Sequence, residues 1–403
     1  MALLPVADAL ARVLKGVEAL PAEHVPIGEA EGRVLAENLA ARRTQPPENV
    51  SAMDGYAVRA EDVASAPARL NLIGEVAAGR PLTATLKSGE TARIFTGGVL
   101  PAGSDTVVIQ ENTTRDGDTV IVNTVTSHAR NVRVTGLDFR KGDVRLTTGR
   151  RLTGRDVALA AAMNHATLPV RRRPKVAIVA TGDELVPPGA EPGPGQIVYS
   201  NVFALAAVAR RAGAEVIDLG ILPDRLEETI AGVRRARDLG ADVLLTAGGA
   251  SVGDYDLVQP ALAAEGLALS FWKIAMRPGK PMLSGQLGAM RVLGLPGNPV
   301  SAYVCSVLFL VPLIRKLLGR SDAEHSVSKG VLGRDLREND EREDYLRATL
   351  ARRADGTWVA TPFPAQDSSM LVPLAAADCL LIREPHAPAA KAGSPCVFVT
   401  LED

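Results

Sequence analysis

Residues 175–181 read KVAIVAT, residues 201–214 NVFALAAVARRAGA, residues 215–222 EVIDLGIL and residues 241–249 ADVLLTAGG. The first, third and fourth are apolar runs of strand length. The second has helical spacing, with Asn201 as the expected N-cap and a stop near Gly213. Leu226, Ile230, Val233 and Leu239 recur near the 3.6-residue period, so a second helix is predicted after Asp224. LALSFWKI at 267–274 and RVLGLPG at 291–297 add two more strands. Alternation of this kind requires right-handed crossovers, so residues 173–319 are predicted to form an α/β domain with a parallel or mixed sheet and helices on both faces. Ligands in such sheets bind beyond the carboxyl ends of the strands.

Outside this region the pattern changes. Residues 46–139 contain short β-like runs such as TARIFTGG, SDTVVIQE and DTVIVNTV, with Asp116-Gly117 as a hairpin signal, and predict a small inserted β-rich domain. The mixed flanks, residues 1–45 and 140–172, are expected to pair into one elongated domain. Beyond 320, YLRATLARR and TWVATPF bracket Ala354-Asp355-Gly356, and SPCVFVTL supplies a last strand, so residues 320–403 predict a β-rich C-terminal domain. The expected fold is an elongated multidomain protomer of α/β plus β-rich domains. Arg171-Arg172-Arg173-Pro174-Lys175 reads as a domain junction rather than a nucleic-acid patch.

Composition narrows the function. At roughly 150 residues per domain, 403 residues suit about two to four domains. With 45 Lys and Arg against 46 Asp and Glu, no global positive field exists to hold nucleic acid, so any anion site must be local. Three widely separated cysteines (Cys305, Cys379, Cys396) and five scattered histidines argue against a zinc site or a disulfide framework and suit a reducing compartment. The N-terminus lacks a basic n-region and reads as an amphipathic helix, and a cytoplasmic location is expected. The longest apolar stretch, residues 300–314, falls short of the roughly 20 residues of a membrane span and contains Pro312, so a buried helix and no membrane contact are expected.

The chemistry gathers where the predicted strands end. Thr181-Gly182-Asp183-Glu184 follows the first strand, Asp224 the second, and Gly248-Gly249-Ala250-Ser251-Val252-Gly253-Asp254-Tyr255-Asp256 the third. Later loops carry Lys273, then Arg277-Pro278-Gly279-Lys280-Pro281, then Leu295-Pro296-Gly297-Asn298-Pro299. Carboxylates, cations and glycines at one sheet edge suit a ligand with phosphate or oxyanion groups, a divalent cation and polar ring edges. Glycine lets backbone N–H groups approach a phosphate, and proline holds the loop in place. Gly249 to Gly253 also matches the G-x-S-x-G nucleophile elbow, but the only histidines downstream, His325 and His386, lie in the β-rich region.

Six motifs occur in order: Ser51-Ala52-Met53-Asp54-Gly55-Tyr56-Ala57-Val58, Ile94-Phe95-Thr96-Gly97-Gly98 with Pro101-Ala102-Gly103-Ser104-Asp105, Thr181 to Leu185, Gly248 to Asp256, Pro278 to Pro281, and Leu295 to Pro299. That order resembles the molybdopterin molybdenumtransferase family, which includes the C-terminal domain of gephyrin. The resemblance implies a four-domain protomer in a homodimer that inserts molybdate into adenylylated molybdopterin and releases AMP. It implies a cleft shared between subunits, where Asp54, Thr96 and Asp138 of one meet Glu184, Asp224, Asp256, Lys273 and Lys280 of the other. Catalytic roles are expected for Asp54, Asp138, Asp224, Asp256, Lys273 and Lys280. Substrate binding is expected from Thr96, Thr181, Gly182, Asp183, Glu184, Ser200, Asn201, Gly248, Gly249, Ser251, Gly253, Arg277, Pro296, Gly297, Asn298, Pro299, Arg347 and Ser368. Glu184 and Asp224 are the expected Mg²⁺ ligands, Asp256 the pterin carboxylate, and Arg277 and Lys280 the oxyanion partners. Arg277 departs from the family pattern, in which many relatives carry Lys. Contact with the molybdopterin adenylyltransferase is also implied. Two other readings are a non-catalytic pterin-binding or scaffolding protein of the same fold and a generic nucleotide or sugar-phosphate enzyme.

Overall fold

The structure is a computed structural model that describes residues 3–248 and 257–401. Its central sheet contains β1 (Lys175–Thr181), β2 (Glu215–Leu222), β3 (Val243–Ala247), β4 (Ala268–Trp272), β5 (Leu283–Leu287) and β6 (Met290–Leu295), in the spatial order β2-β1-β3-β6-β5-β4. The pairings among β2, β1, β3 and β6 are parallel. The short Leu287-to-Met290 connection allows only a hairpin, so β5 runs against β6, and β4 in turn runs against β5. The sheet is therefore mixed. Five strands end at one rim, and β5 begins there.

Helices cover both faces because the strands are apolar on both. Ile178, Leu245 and Leu293 pack under the helices Asn201–Ala212 and Pro299–Leu317. On the other face, Ala177, Val179, Leu244 and Val292 pack under Leu226–Asp238 and Val258–Ala264. The 19-residue helix Pro299–Leu317 is long and apolar enough to cross a membrane by length and composition, yet 83% of its most apolar window is buried in this core. It passes through a π-type turn at Ser306–Leu310 just before Pro312, which has no N–H to continue the i→i−4 ladder.

The N-terminal helix Val6–Leu14 departs from the expected grouping of residues 1–45 with 140–172. Val6, Ala9 and Val13 pack into the α/β core, and Leu4 bridges Ile274. Farther along, Ala22–Pro26 pairs antiparallel with Thr167–Arg171, and Leu39–Ala40 with Val144–Leu146, over a core that includes Leu35, Phe139 and Leu168. Between these flanks, residues 55–122 form a six-stranded sheet in which the strands on either side of Asp116-Gly117 pair as a hairpin. The guanidiniums of Arg171 and Arg172 are engaged internally, Arg171 with the Leu20 carbonyl at 2.9 Å and Arg172 with both oxygens of Asp242 at 2.8 and 2.9 Å.

The C-terminal strands close on themselves. Glu343–Arg352, Trp358–Pro362, Ser328–Leu332, Pro395–Thr400 and Cys379–Arg383 pair in that order, and the last returns to the first, giving a small barrel around Leu332, Ala348 and Phe398. One more strand joins it from outside: Met276–Arg277 leaves the central sheet between β4 and β5 and pairs parallel with Glu343 and Asp344.

Candidate active site

The rim is held by hydrogen bonds between successive loops. Gly182 N–H donates to the Leu222 carbonyl at 3.3 Å, joining the exits of β1 and β2. Asp183 N–H donates to Asp224 Oδ2 at 3.3 Å, and Asp224 N–H donates back to Asp183 Oδ1 at 3.2 Å. Asp224 thus faces the neighbouring loop, and the next helix, Leu226–Asp238, begins without a side-chain cap. Gly182 has φ +151°, and a Cβ there would lie 2.5 Å from Glu184 Oε2, so glycine is what lets the carboxylate fold back over the turn.

A second junction lies under β3 and β6. Gly248 N–H donates to the Leu295 carbonyl at 3.2 Å, closing the turn beside Pro296 and Gly297. Asn201 departs from its expected capping role. It is the first residue of its helix, the cap position falls on Ser200 without a side-chain bond, and Asn201 Nδ2 instead donates to the Gly297 carbonyl at 2.7 Å. Asn298 Nδ2 donates to Ser368 Oγ at 2.8 Å, and Val300 N–H, one residue past Pro299, donates to the Ser368 carbonyl at 3.1 Å. These bonds seat the barrel's Ser368 on the rim.

Arg347 lies beside that contact. It is only 1% exposed, Nη2 donates to the Asp367 carbonyl at 3.0 Å, and Nε is buried with no partner among the described residues. Burial lowers its pKa. A desolvated guanidinium with an idle donor is costly unless an acceptor arrives. Lys273 follows β4, with Nζ 4.3 Å from the Trp272 ring centroid and its backbone at φ +74°. Lys280 precedes β5 and is exposed; its carbonyl accepts from Ile274 N–H at 3.0 Å. The register Trp272↔Leu283↔Gly294 brings both lysine-bearing turns to the same rim.

Arg277 requires correction as an oxyanion ligand. Its Nε donates to Asp344 Oδ1 at 2.7 Å, Nη2 to Asp344 Oδ2, Nη1 to Asp340 at 3.0 Å, and Nη2 also to Asn339 at 3.1 Å. The fork suited to an oxyanion holds the protein's own carboxylate, which raises the Arg277 pKa. Asp344, Asp340 and Asn339 were missed from sequence because they lie 67, 63 and 62 residues away from Arg277.

Asp54, Thr96 and Asp138 lie outside the central sheet, Asp54 and Thr96 beside strands of the inserted six-stranded sheet. Asp54 Oδ1 accepts from Thr96 N–H at 2.7 Å and from Thr96 Oγ at 2.8 Å, and the backbone bond is the main cause of its lowered pKa. Gly55 follows because a Cβ there would fall 2.0 Å from the Val108 carbonyl oxygen. Asp138 is exposed, with its N–H donating to the Gln45 carbonyl at 3.0 Å. Among the described residues, no hydrogen bond or ion pair joins these three to the rim of the same chain. Gly249, Ser251, Gly253 and Asp256 lie outside the described residues. Among those that are described, no three His, Cys, Asp or Glu side chains gather as a metal cage. Glu184 and Asp224, on neighbouring loops, still fit Mg²⁺, which takes one or two carboxylates and completes its shell with water and substrate oxygens.

A mixed sheet whose rim gathers carboxylates, two lysine turns and a buried guanidinium with one unmatched donor among the described residues defines the class as an α/β protein with a charged strand-end rim. Comparison with known proteins narrows that class. Residues 4–164 match the MoeA N-terminal region (domain I and II), residues 177–316 a "probable molybdopterin binding domain", and residues 329–401 the MoeA C-terminal region (domain IV). The molybdopterin molybdenumtransferase of Nostoc sp. is 40% identical over 81% of this chain and 77% of its own length. That of Bacillus subtilis is 34% identical over 94% of this chain and 90% of its own. A crystal structure of the molybdopterin biosynthesis MoeA protein of Pyrococcus horikoshii superposes with TM-score 0.85 at 28% identity, covering 99% of this chain and 100% of that one. The chain belongs to the molybdopterin molybdenumtransferase family.

Proposed function

We propose that this chain is a molybdopterin molybdenumtransferase, a transferase of molybdenum cofactor biosynthesis that inserts molybdate into adenylylated molybdopterin and releases AMP. The observation that carries the reading is the rim itself: the ends of the parallel strands, two lysine turns and the enclosed Arg347 lie toward one end of the sheet. Arg347 Nε and Lys280 Nζ are assigned to the molybdate oxyanion, with Ser368 as a hydroxyl donor beside them. Arg277 is assigned to holding the barrel against the lysine turns. Gly248 and Gly297 keep the floor of the rim free of side chains, and Asn201 and Asn298 fix that floor to its surroundings. Lys273 and Lys280 offset negative charge as AMP leaves. Asp256 is the assigned acceptor for the adjacent pterin N–H donors.

Glu184 and Asp224 would hold Mg²⁺. When bound, the ion would neutralise charge on the phosphate oxygens as the link to AMP breaks. Turnover undiminished in excess chelator would remove it from the reading.

The separation of Asp54, Thr96 and Asp138 from the rim within one chain supports a homodimer in which they complete the partner's cleft. A cytoplasmic location and contact with the adenylyltransferase that supplies the substrate go with the same reading. The test is AMP release on mixing two inactive variants, Asp54→Asn and Lys280→Ala. In a two-fold dimer with shared sites, random exchange restores roughly a quarter of wild-type activity, because half the dimers are mixed and each mixed dimer has one intact cleft. No recovery after verified subunit exchange would confine each site to a single chain. Absence of AMP release by the wild-type protein would overturn the enzymatic reading.

A further inference from the structure

The helix Pro299–Leu317 starts at the rim, and at 1.5 Å per residue Arg315 lies about 25 Å along it from Asn298. There, a cavity of about 360 Å³ opens where the α/β domain, the elongated unit and the end of the barrel meet; Arg151, Arg315, Arg320, Asp322, Glu324 and Leu401 are among its walls. Arg320 is occupied on one side, with Nε and Nη2 donating to Asp322 at 2.7 and 2.5 Å, which leaves Nη1. Among the described residues, neither Arg315 nor Arg151 has a carboxylate partner, and Arg315 Nε is enclosed with no hydrogen-bond acceptor. Burial first, then repulsion from Arg320 and Arg151 against the pull of Asp322, pushes the Arg315 pKa down. Arg315 also sits in the last turn of its helix, where the dipole favours a cation. That accounts for the charge. It does not account for an enclosed N–H without an acceptor, which native proteins rarely tolerate.

We propose that this cavity is an oxyanion site, separate from the strand-end rim, that binds a phosphate group between Arg151, Arg315 and Arg320. The group is either free phosphate or the phosphate of a small phosphorylated molecule, and the volume suits either.

The experiment titrates the full-length protein by calorimetry with inorganic phosphate and, separately, ribose 5-phosphate. Saturable binding is expected, weakened roughly ten-fold or more in Arg315→Gln and Arg151→Gln by loss of a charge-assisted bond, and retained in Lys280→Ala. Arg151 is exposed, so its variant tests the site even if Arg315→Gln misfolds. Tighter binding of ribose 5-phosphate supports the site with an organic phosphate as its ligand, and equal binding supports it with the free ion. No saturable binding to wild type, binding unchanged in Arg151→Gln and in any folded Arg315→Gln, or binding lost in Lys280→Ala overturns the proposal. So does binding that appears only when Glu402 and Asp403 are removed, which would give the arginines to the chain's own carboxylates.

Discussion

The strand-end rim and the Arg277 junction both collect acidic and basic residues from distant loops, but they leave different things free. At the rim, Asp183 and Asp224 exchange one backbone bond each and keep further carboxylate oxygens open, Lys280 is exposed, and Arg347 has an idle donor. At the junction, Arg277 is matched by Asp344, Asp340 and Asn339, and Arg342 holds Asp340 from the other side at 2.8 Å. Clusters of similar composition therefore divide into one that keeps unmatched donors and acceptors among the described residues and one whose groups are matched across two domains. The distinction lies in unsatisfied donors and acceptors, not in charge count.

Substitutions can break this contrast. Lys280→Ala should lower AMP release by about 10²–10³-fold, the usual loss of a charge-stabilising group, while thermal unfolding stays at the wild-type temperature; a fall of less than about three-fold would take Lys280 out of the site. Asp344→Ala should destabilise the protein by about 2 kcal/mol in urea titrations, less than a fully buried pair because the Arg277 side chain is 44% exposed. An unchanged urea midpoint would mean the junction fastens nothing. Gly182→Ala should cost about ten-fold in AMP release, because its Cβ displaces the Glu184 carboxylate and small misplacements slow oriented reactions. Full activity would show that Glu184 needs no such seat.

The smallest effect concerns acid. Asp340 is held at about 2, first by its bond from Arg342, against an ordinary 3.8. A depressed carboxyl stabilises the fold above its unfolded value and loses that contribution as pH falls from about 4 toward 2. The urea midpoints of wild type and Arg342→Gln should therefore differ at neutral pH and converge in that window, and a gap that persisted through it would detach Asp340 from the network.

Five of the six strands of the central sheet were legible because their signals are local apolar runs, whereas β5, Leu283–Leu287, interrupts its apolar residues with Ser284, Gly285 and Gln286 and was not read. The hairpin at Asp116-Gly117 was legible for the same reason. The side on which the N-terminal helix docks was not, since Val6, Ala9 and Val13 specify an apolar stripe but not its partner. Of the candidate site residues, Gly182, Asp183, Asp224 and Gly248 do follow strands, as their positions in the sequence predict. The state of Arg277 could not, because a guanidinium looks the same in sequence whether it meets a ligand or an aspartate 67 residues away. Arg347 was also opaque, since its near-complete burial depends on the barrel closing around it.

Met276–Arg277, the strand that the central sheet lends to the barrel, has a mechanical consequence. Lys273 and Lys280 stand at the two feet of this excursion, and its apex is stitched to Glu343 and Asp344. The barrel is thus joined to both lysine turns through backbone as well as through the Arg277 side chain, so a displacement of its strand would reach both lysines together. Alignment of the cationic half of the rim is coupled to the posture of a domain that follows it in the chain by some sixty residues.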